Sequence, residues 1–219
     1  EALTRLAARA REDEGLHPVQ GDLLKPPFKP GVFDIVYSQG VLHHASDTKT
    51  AFGKAAALVA PGGTLTVWVY GTPGRWSSFR TNPLRSGREW IARLRLAVWL
   101  VIWARQLLSD ALRLVTTRLP HPLLYALCYP LAALGALPVL KYLTFSAHPL
   151  WRVRLQENFD WLAPPYQYKH TKEEVRGWFE EAGFEVGSPL AHGMVPKVGF
   201  AGRRRPGSGR KPASGRRGT

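Results

Sequence analysis

The clearest alternation of apolar and polar positions lies between residues 21 and 63. Residues 33–37 form a short apolar run bounded by proline, glycine and serine, which is typical of a strand buried on both faces of a parallel sheet. Asp47 can cap a helix, and apolar residues then recur at helical spacing until Pro61, Gly62 and Gly63 are expected to end it. Residues 64–70, rich in β-branched and aromatic side chains, predict a second buried strand.

A strand, a helix and a strand joined by short links make a right-handed parallel unit, so the pattern predicts an α/β fold. In such sheets, small molecules bind beyond the carboxyl ends of the strands. Here those ends are residues 21–22, residues 38–44 and the chain from Gly71 onward.

The apolar pattern changes after Gly71. Residues 88–119 read as one or two helices, and residues 119–140 run for 22 positions without a charge. A helix of that length would reach roughly 33 Å, enough to cross a bilayer, but four prolines interrupt the run. We therefore favour a helical lid over a substrate site, with a membrane-surface helix pair and a membrane span as alternatives.

The last third of the chain predicts a closing unit. Residues 151–170 are dense in aromatic, amide and proline residues and are interpreted as an ordered loop. Residues 171–174 form a capping box for a helix that Gly183 should end. Residues 184–186 and 198–201 are expected to form an antiparallel pair, and residues 203–219 a disordered basic tail.

Charge is unevenly distributed along the 219 residues. The net charge of +14 combines a neutral stretch over residues 1–74, ten surplus positive charges over 75–154, three surplus negative charges over 155–202 and seven positive charges in the tail. The single Cys128 allows no internal disulfide and fits a cytoplasmic location. The first residues are charged and do not resemble a secretory signal. Because the first residue is Glu1 and not Met, we expect the chain to be cut from a longer one.

Several short strings in this chain resemble one enzyme family. They are the Gly-Asp turn at residues 21–22 followed by Leu-Leu-Lys-Pro-Pro-Phe, the string Phe-Asp-Ile-Val, the string Val-Leu-His-His and the string Pro-Gly-Gly. Together they are similar to class I S-adenosylmethionine-dependent methyltransferases of the type 11 group, which includes quinone-biosynthesis enzymes. The resemblance covers residues 1–70 and 151–202.

The resemblance implies a partial, doubly wound, Rossmann-like sheet with S-adenosylmethionine as cofactor. The family's first two strands, its glycine-rich cofactor loop and its ribose-binding acid have no counterpart here, so we expect an N-terminally truncated and inactive fragment. The implied domains are residues 1–74 (third to fifth strands), 75–150 (helical insertion after strand five), 151–202 (closing unit) and 203–219 (tail). Without its neighbour, the weak third strand near Val19 should be unpaired or drawn to Ile35.

The resemblance also implies cofactor-binding residues. Asp22 would accept a hydrogen bond from the adenine amino group, and the Leu23 amide would face a ring nitrogen. Ser38, Gln39 and Gly40 would line the methionine moiety and the transferred methyl group. Taken alone, an Asp in a Gly-Asp turn is more often a plain turn former.

Five further residues could act on a methyl acceptor. His43 and His44 are candidate general bases, because a neutral imidazole can take a proton near pH 7, and a packed structural histidine is the alternative for each. Tyr166, Gln167 and His170 are candidate substrate contacts, with a loop pinned by aromatic packing as the alternative. Neighbouring histidines rarely bind one ion together, so no metal is expected.

We therefore expect methyl transfer to an O, N or C nucleophile of a small molecule, and the apolar insertion favours an apolar acceptor. Two alternatives stay open: a non-catalytic membrane-associated module built on residues 88–141, and a tRNA-modifying methyltransferase. Hydrolase, kinase and metalloprotease motifs are absent from the sequence.

Overall fold

The computed structural model describes residues 10, 15–72, 95–137, 140, 144–146, 148–190 and 197–206. Five helices and four strands lie in this part of the chain. In order they are β1 (Phe33–Gln39), α1 (Thr48–Leu58), β2 (Val59–Tyr70), α2 (Arg95–Thr116), α3 (His121–Leu134), α4 (Trp151–Leu162), α5 (Lys172–Glu181), β3 (Phe184–Val186) and β4 (Lys197–Arg204), with a short 3-10 helix at Leu42–His44.

The four strands form one mixed sheet in the order β1-β2-β4-β3. β1 and β2 are parallel, and β4 lies antiparallel to both β2 and β3. This is the order of strands four, five, seven and six in the implied family sheet, so the α/β prediction is confirmed.

The helices of the sheet region begin where their polar caps predict. Asp47 accepts a hydrogen bond from the Thr50 amide at 2.9 Å at the start of α1. Thr171 and Glu174 form the predicted capping box of α5, and Gly183 adopts a φ of 82° just beyond that helix. Local side-chain chemistry therefore determines these helix starts.

The end of α1 differs from the prediction. β2 starts directly after the helix at Val59, so Pro61, Gly62 and Gly63 lie inside a strand whose register to β1 shifts between Phe33 and Ile35. A Cβ on Gly63 would lie 2.7 Å from the Asp34 carbonyl oxygen. The glycine is needed because the two backbones touch at this irregularity.

The main core covers one face of the sheet. Leu65, Val67 and Val69 of β2 point to this face, and α1 and α5 pack on it through Phe52 and Phe179. A second, smaller core joins α3 to α4 through residues that include Leu124, Cys128, Leu155 and Leu162.

Three predictions were wrong or incomplete. Residues 33–37 are not buried on both faces: the Ile35 and Tyr37 side chains are 71% and 62% exposed, because nothing among the described residues covers the face to which both point. Residues 151–162 form α4 rather than a loop, since Leu155 and Leu162 share one buried face. β4 extends to Arg204, two residues into the predicted tail.

The remaining expectations have mixed outcomes. Val19 lies outside any strand and is 53% exposed, as predicted. Helices occupy the described part of the insertion, and no helix among the described residues is long and apolar enough to cross a membrane. Residues 1–9 and 11–14 and the tail beyond Pro206 lie outside the described residues.

Candidate functional site

The polar elbow after β1 turns the chain across the end of β2. Gly40 has a φ of 69°, and its amide donates to the Trp68 carbonyl at 3.1 Å. A Cβ at this position would approach the Trp68 ring to 2.8 Å. A glycine is therefore required here, and the turn leads directly into the 3-10 helix that carries His43 and His44.

His43 lies in a fully buried position above the end of β2. Its ring stacks on Tyr70 with centroids 3.9 Å apart, and neither of its ring nitrogens has a hydrogen-bond partner among the described residues. Burial, followed by the nearby His44, His170, Lys197 and Arg113, lowers the pKa of His43 to about 2. The imidazole is therefore neutral at physiological pH.

His44 is only partly buried and has a defined tautomer. Its Nδ1 lies 2.9 Å from the Tyr166 carbonyl oxygen, and because a carbonyl only accepts hydrogen bonds, Nδ1 carries the proton. Burial lowers the pKa of His44, and the hydrogen bond to Tyr166 opposes that shift. The neutral ring thus keeps its Nε2 lone pair as a proton acceptor.

The loop between α4 and α5 closes over these histidines through its backbone. The Tyr168 amide donates to the His43 carbonyl at 3.0 Å, and the His170 amide donates to the Tyr70 carbonyl at 2.9 Å. The Gln167 amide group lies near the Tyr70 hydroxyl, but neither of its polar atoms makes a hydrogen bond among the described residues. The predicted substrate residues Tyr166 and Gln167 are therefore brought to His44 and Tyr70, respectively.

His170 is also buried here, but its side chain faces α5. Its Nδ1 lies 3.1 Å from the Glu174 carboxylate, and its ring packs edge-on against Trp178 with centroids 4.8 Å apart. These contacts attach the closing loop to the helix that follows it.

Four residues that the sequence analysis did not single out complete the site. Tyr70 stacks on Trp161 of α4 with centroids 4.8 Å apart. Arg113 of α2 donates to the Pro164 carbonyl at 2.6 Å, and its charge contributes to lowering the pKa of both histidines. The charge of Asp160 on α4 contributes to raising the pKa of His44. Tyr70 could have been found as the last residue of β2, whereas the other three carry no local signal.

Burial also perturbs the ionisable groups around this site. It raises the pKa of the Tyr70 phenol above its ordinary value and is the main cause of the raised pKa of Asp160. Burial lowers the pKa of Lys197, whose ammonium lies 4.2 Å from the Trp68 ring centroid. Such perturbed groups are typical of functional sites in proteins.

The predicted cofactor residues lie in the turn at residues 22–23, in the last two residues of β1 and at Gly40 just after it. Asp22 is exposed, and its Oδ1 accepts a hydrogen bond from the Leu24 amide at 2.8 Å, which is the turn-forming role. Leu23 packs against the main core. Gln39 is exposed and accepts a hydrogen bond from the Tyr37 hydroxyl, while Ser38 pairs with Val67 inside the sheet.

These residues fit one part of a nucleoside cofactor. An exposed carboxylate and the neighbouring amide suit an adenine edge, and the elbow at residues 38–40 leads to the unpaired nitrogens of buried His43. In the part of the chain that the structure describes, no strand is followed by a turn with more than one glycine. No cluster of three or more His, Cys, Asp or Glu among those residues could hold a metal ion.

Solved structures offer one comparison with known proteins. An O-methyltransferase family protein from Burkholderia thailandensis aligns with 93% of this chain and 40% of its own at 16% identity and a TM-score of 0.43. A SAM-dependent methyltransferase from Thermotoga maritima, described as a possible histamine N-methyltransferase, aligns with 92% of this chain and 70% of its own at 14% identity and a TM-score of 0.40.

Sequence comparison identifies the first part of the chain. Residues 1–67 match the family described as a methyltransferase domain. Uncharacterized methyltransferases of Mycobacterium bovis and Mycobacterium tuberculosis are 40% identical to this chain over 55 residues, which is 25% of this chain and 28% of each relative. The aligned region thus spans little more than a quarter of the length of these relatives. Residues 1–67, which include β1, the elbow and most of β2, therefore match a methyltransferase domain in sequence.

Proposed function

We propose that this chain belongs to an enzyme that transfers a methyl group from S-adenosylmethionine to an O, N or C nucleophile of a small, apolar or aromatic molecule. The observation that carries the proposal is the ring of His44, whose Nδ1 donates to the Tyr166 carbonyl and whose Nε2 is left to accept a proton. This histidine lies at the carboxyl ends of the two parallel strands. This is the edge at which parallel α/β sheets bind their ligands.

The cofactor would lie along the loops of residues 22–23 and 38–40. Asp22 and Leu23 would hold its adenine, and Ser38, Gln39 and Gly40 its methionine end. When bound, S-adenosylmethionine supplies an electrophilic methyl group on a sulfonium centre. The contribution of the chain is mainly to align two reactants and to exclude water.

The two histidines would have different roles. His44 would accept a proton from the nucleophile at Nε2, because its ring is neutral and only partly buried. His43 is too deeply buried to exchange protons with solvent, and its low pKa keeps it uncharged. We assign His43 to the wall of the pocket.

The acceptor class follows from the walls of the site. The rings of Tyr70, Trp161 and His43 stack on one another and form an aromatic wall of the site, and α2 meets the closing loop beside that wall through Arg113. An apolar wall of this kind favours an apolar acceptor. Tyr166, Gln167 and His170 of the closing loop remain the proposed substrate contacts from that side.

The test uses the full product of the gene, tritiated S-adenosylmethionine, and the apolar, polar and RNA fractions of a cell extract as acceptors. We expect tritium in the apolar fraction, and a loss of about 100-fold or more in H44Q because a positioned base contributes at least that much. The matched control is H121Q, which replaces an exposed histidine on α3. Calorimetry should show that both variants bind the cofactor as the unsubstituted protein does.

Each other outcome has a defined meaning. Undiminished transfer by H44Q would refute the role of His44, and tritium in the RNA fraction would support a tRNA-modifying enzyme instead. Absence of both transfer and cofactor binding would refute the function. For the 219-residue chain by itself we expect no measurable heat with the cofactor, since its sequence has no counterpart of the family's glycine-rich cofactor loop and ribose-binding acid; micromolar binding would contradict that expectation.

A further inference from the structure

Helix α2 buries a polar side and exposes an apolar side, which is the reverse of an ordinary amphipathic helix. Among the side chains of α2 that the structure describes, the buried ones besides Ile102 are polar: Gln106 and Ser109 are buried, and Arg105 and Arg113 are partly buried on the same side. Gln106 donates to the Gly71 carbonyl at 3.4 Å, and Arg113 donates to the Pro164 carbonyl. The helix therefore contacts the rest of the protein through hydrogen bonds rather than through an apolar stripe.

The opposite side of α2 is apolar and faces outward. Leu107 and Leu114 are 58% and 67% exposed, and they lie seven residues apart on one helical face. The other exposed apolar residues of α2 are Leu100, Val101, Trp103, Leu108, Leu112 and Val115. We call this surface, made of all eight residues, the outer face of α2. The one exposed acid of α2, Asp110, is paired with Lys169.

Helix α3 continues the same character. It contains no Asp, Glu, Lys or Arg, and it exposes Leu123, Tyr125, Leu127 and Tyr129. Trp151, at the start of α4, is also exposed and packs against Tyr129 with ring centroids 6.0 Å apart. Exposed apolar surface of this extent on consecutive helices indicates a binding partner.

The charge around the outer face selects the partner. Among the described residues, exposed Arg118 and Arg152 flank the two helices, whereas Arg105, Arg113 and Arg154 are partly or fully buried. A second copy of this chain would bring like charges together and be repelled, whereas an anionic lipid surface is complementary to them. Tyr and Trp side chains also suit the boundary between head groups and acyl chains.

We propose that the outer face of α2 docks on the surface of a bilayer that contains anionic phospholipid. The leucines of α2 enter the boundary between head groups and acyl chains, and the flanking arginines contact lipid phosphates. The helix lies on the membrane, since no helix among the described residues can cross it. This inference is independent of the proposed methyl transfer.

The test is co-sedimentation of the full chain with phosphatidylcholine vesicles, prepared with and without phosphatidylserine, at low and at high salt. We expect binding to the phosphatidylserine vesicles that persists in part at high salt, where binding by the basic tail alone would be screened away. The variant L107Q/L114Q should bind these vesicles at least about tenfold more weakly. The transfer of one leucine side chain out of water already changes a partition coefficient by about that factor.

The matched control is V32Q/I35Q, which replaces two exposed apolar residues on or beside β1. It should bind vesicles as the unsubstituted chain does, and circular dichroism should show that all three proteins are folded. Vesicle binding that L107Q/L114Q leaves unchanged, or equal binding to vesicles without phosphatidylserine, would overturn the proposal. A dimer in lipid-free solution that L107Q/L114Q dissociates, together with no vesicle binding, would show instead that a second copy covers this face.

Discussion

At the scale of single residues, His43 and His44 show how position overrides residue type. They are adjacent in the sequence, and the sequence offers no reason to prefer one of them as a base. The fold buries His43 completely against Tyr70, whereas it leaves His44 partly exposed with one nitrogen hydrogen-bonded to Tyr166. Burial and one backbone carbonyl therefore distinguish the two side chains.

The burial of His43 should make stability depend on pH. Its folded pKa is lowered from 6.5 to about 2, so below about pH 6.5 the unfolded chain binds a proton that the folded chain does not. Stability should then fall as pH decreases, by up to about 1.4 kcal/mol per pH unit from this group. In H43F that contribution disappears, and urea unfolding at about pH 7 and about pH 5 measures the difference between the two proteins.

H43Q serves as the control for packing in this experiment. It also cannot take up a proton, but it keeps a polar group in the buried position and should be less stable than H43F at both pH values. A pH dependence in H43F equal to that of the unsubstituted chain would show that His43 titrates normally.

Two glycine substitutions should have opposite effects on stability. Gly40 has a positive φ and lies against Trp68, so G40A should lower the free energy of unfolding by about 2 kcal/mol. Gly53 lies in the middle of α1, where an added Cβ would meet nothing within 4 Å, and G53A should raise the free energy of unfolding by about 0.5–1 kcal/mol. Thermal unfolding distinguishes the two, and an equally stable G40A would refute the tight elbow.

At the scale of secondary-structure elements, the sequence predicted helix starts better than strand environments. The caps at Asp47 and Thr171 depend on side chains that bond to their own backbone, so they can be recognised locally. The burial of β1 was predicted wrongly. An apolar run shows that a strand could be buried, but it does not show whether other elements pack on both of its faces. Residues 151–162 were predicted as a loop because the buried face of α4 becomes apparent only beside α3.

The edge position of β1 should be visible in amide hydrogen exchange. β2 is hydrogen-bonded to β1 on one side and to β4 on the other, whereas β1 pairs with β2 alone in the described sheet. The amides of β1 that point away from β2 should therefore exchange about tenfold faster or more than those of β2. Exchange mass spectrometry measures both strands in one sample, and equal protection would mean that something else covers the edge of β1.

At the scale of the whole molecule, the candidate site is assembled from distant parts of the chain. The end of β2 contributes Tyr70, α2 contributes Arg113, α4 contributes Trp161, and the closing loop contributes its backbone. Asp110 of α2 is paired with Lys169 of that loop, which ties the insertion to the site. The lid over a substrate site and the four-domain division both remain predictions.

By itself the sequence determined the α/β class, the polar elbow, the capped helices and the methyltransferase character of the first 67 residues, because each of these depends on neighbouring side chains or on a contiguous motif. Only the tertiary structure decided which histidine keeps a usable lone pair, that Tyr70, Arg113 and Trp161 lie beside it, and that α2 turns its apolar side outward. These properties depend on burial and on contacts between residues far apart in the chain. Short-range patterns contain no information about such contacts, which is the physical reason that the sequence left them open.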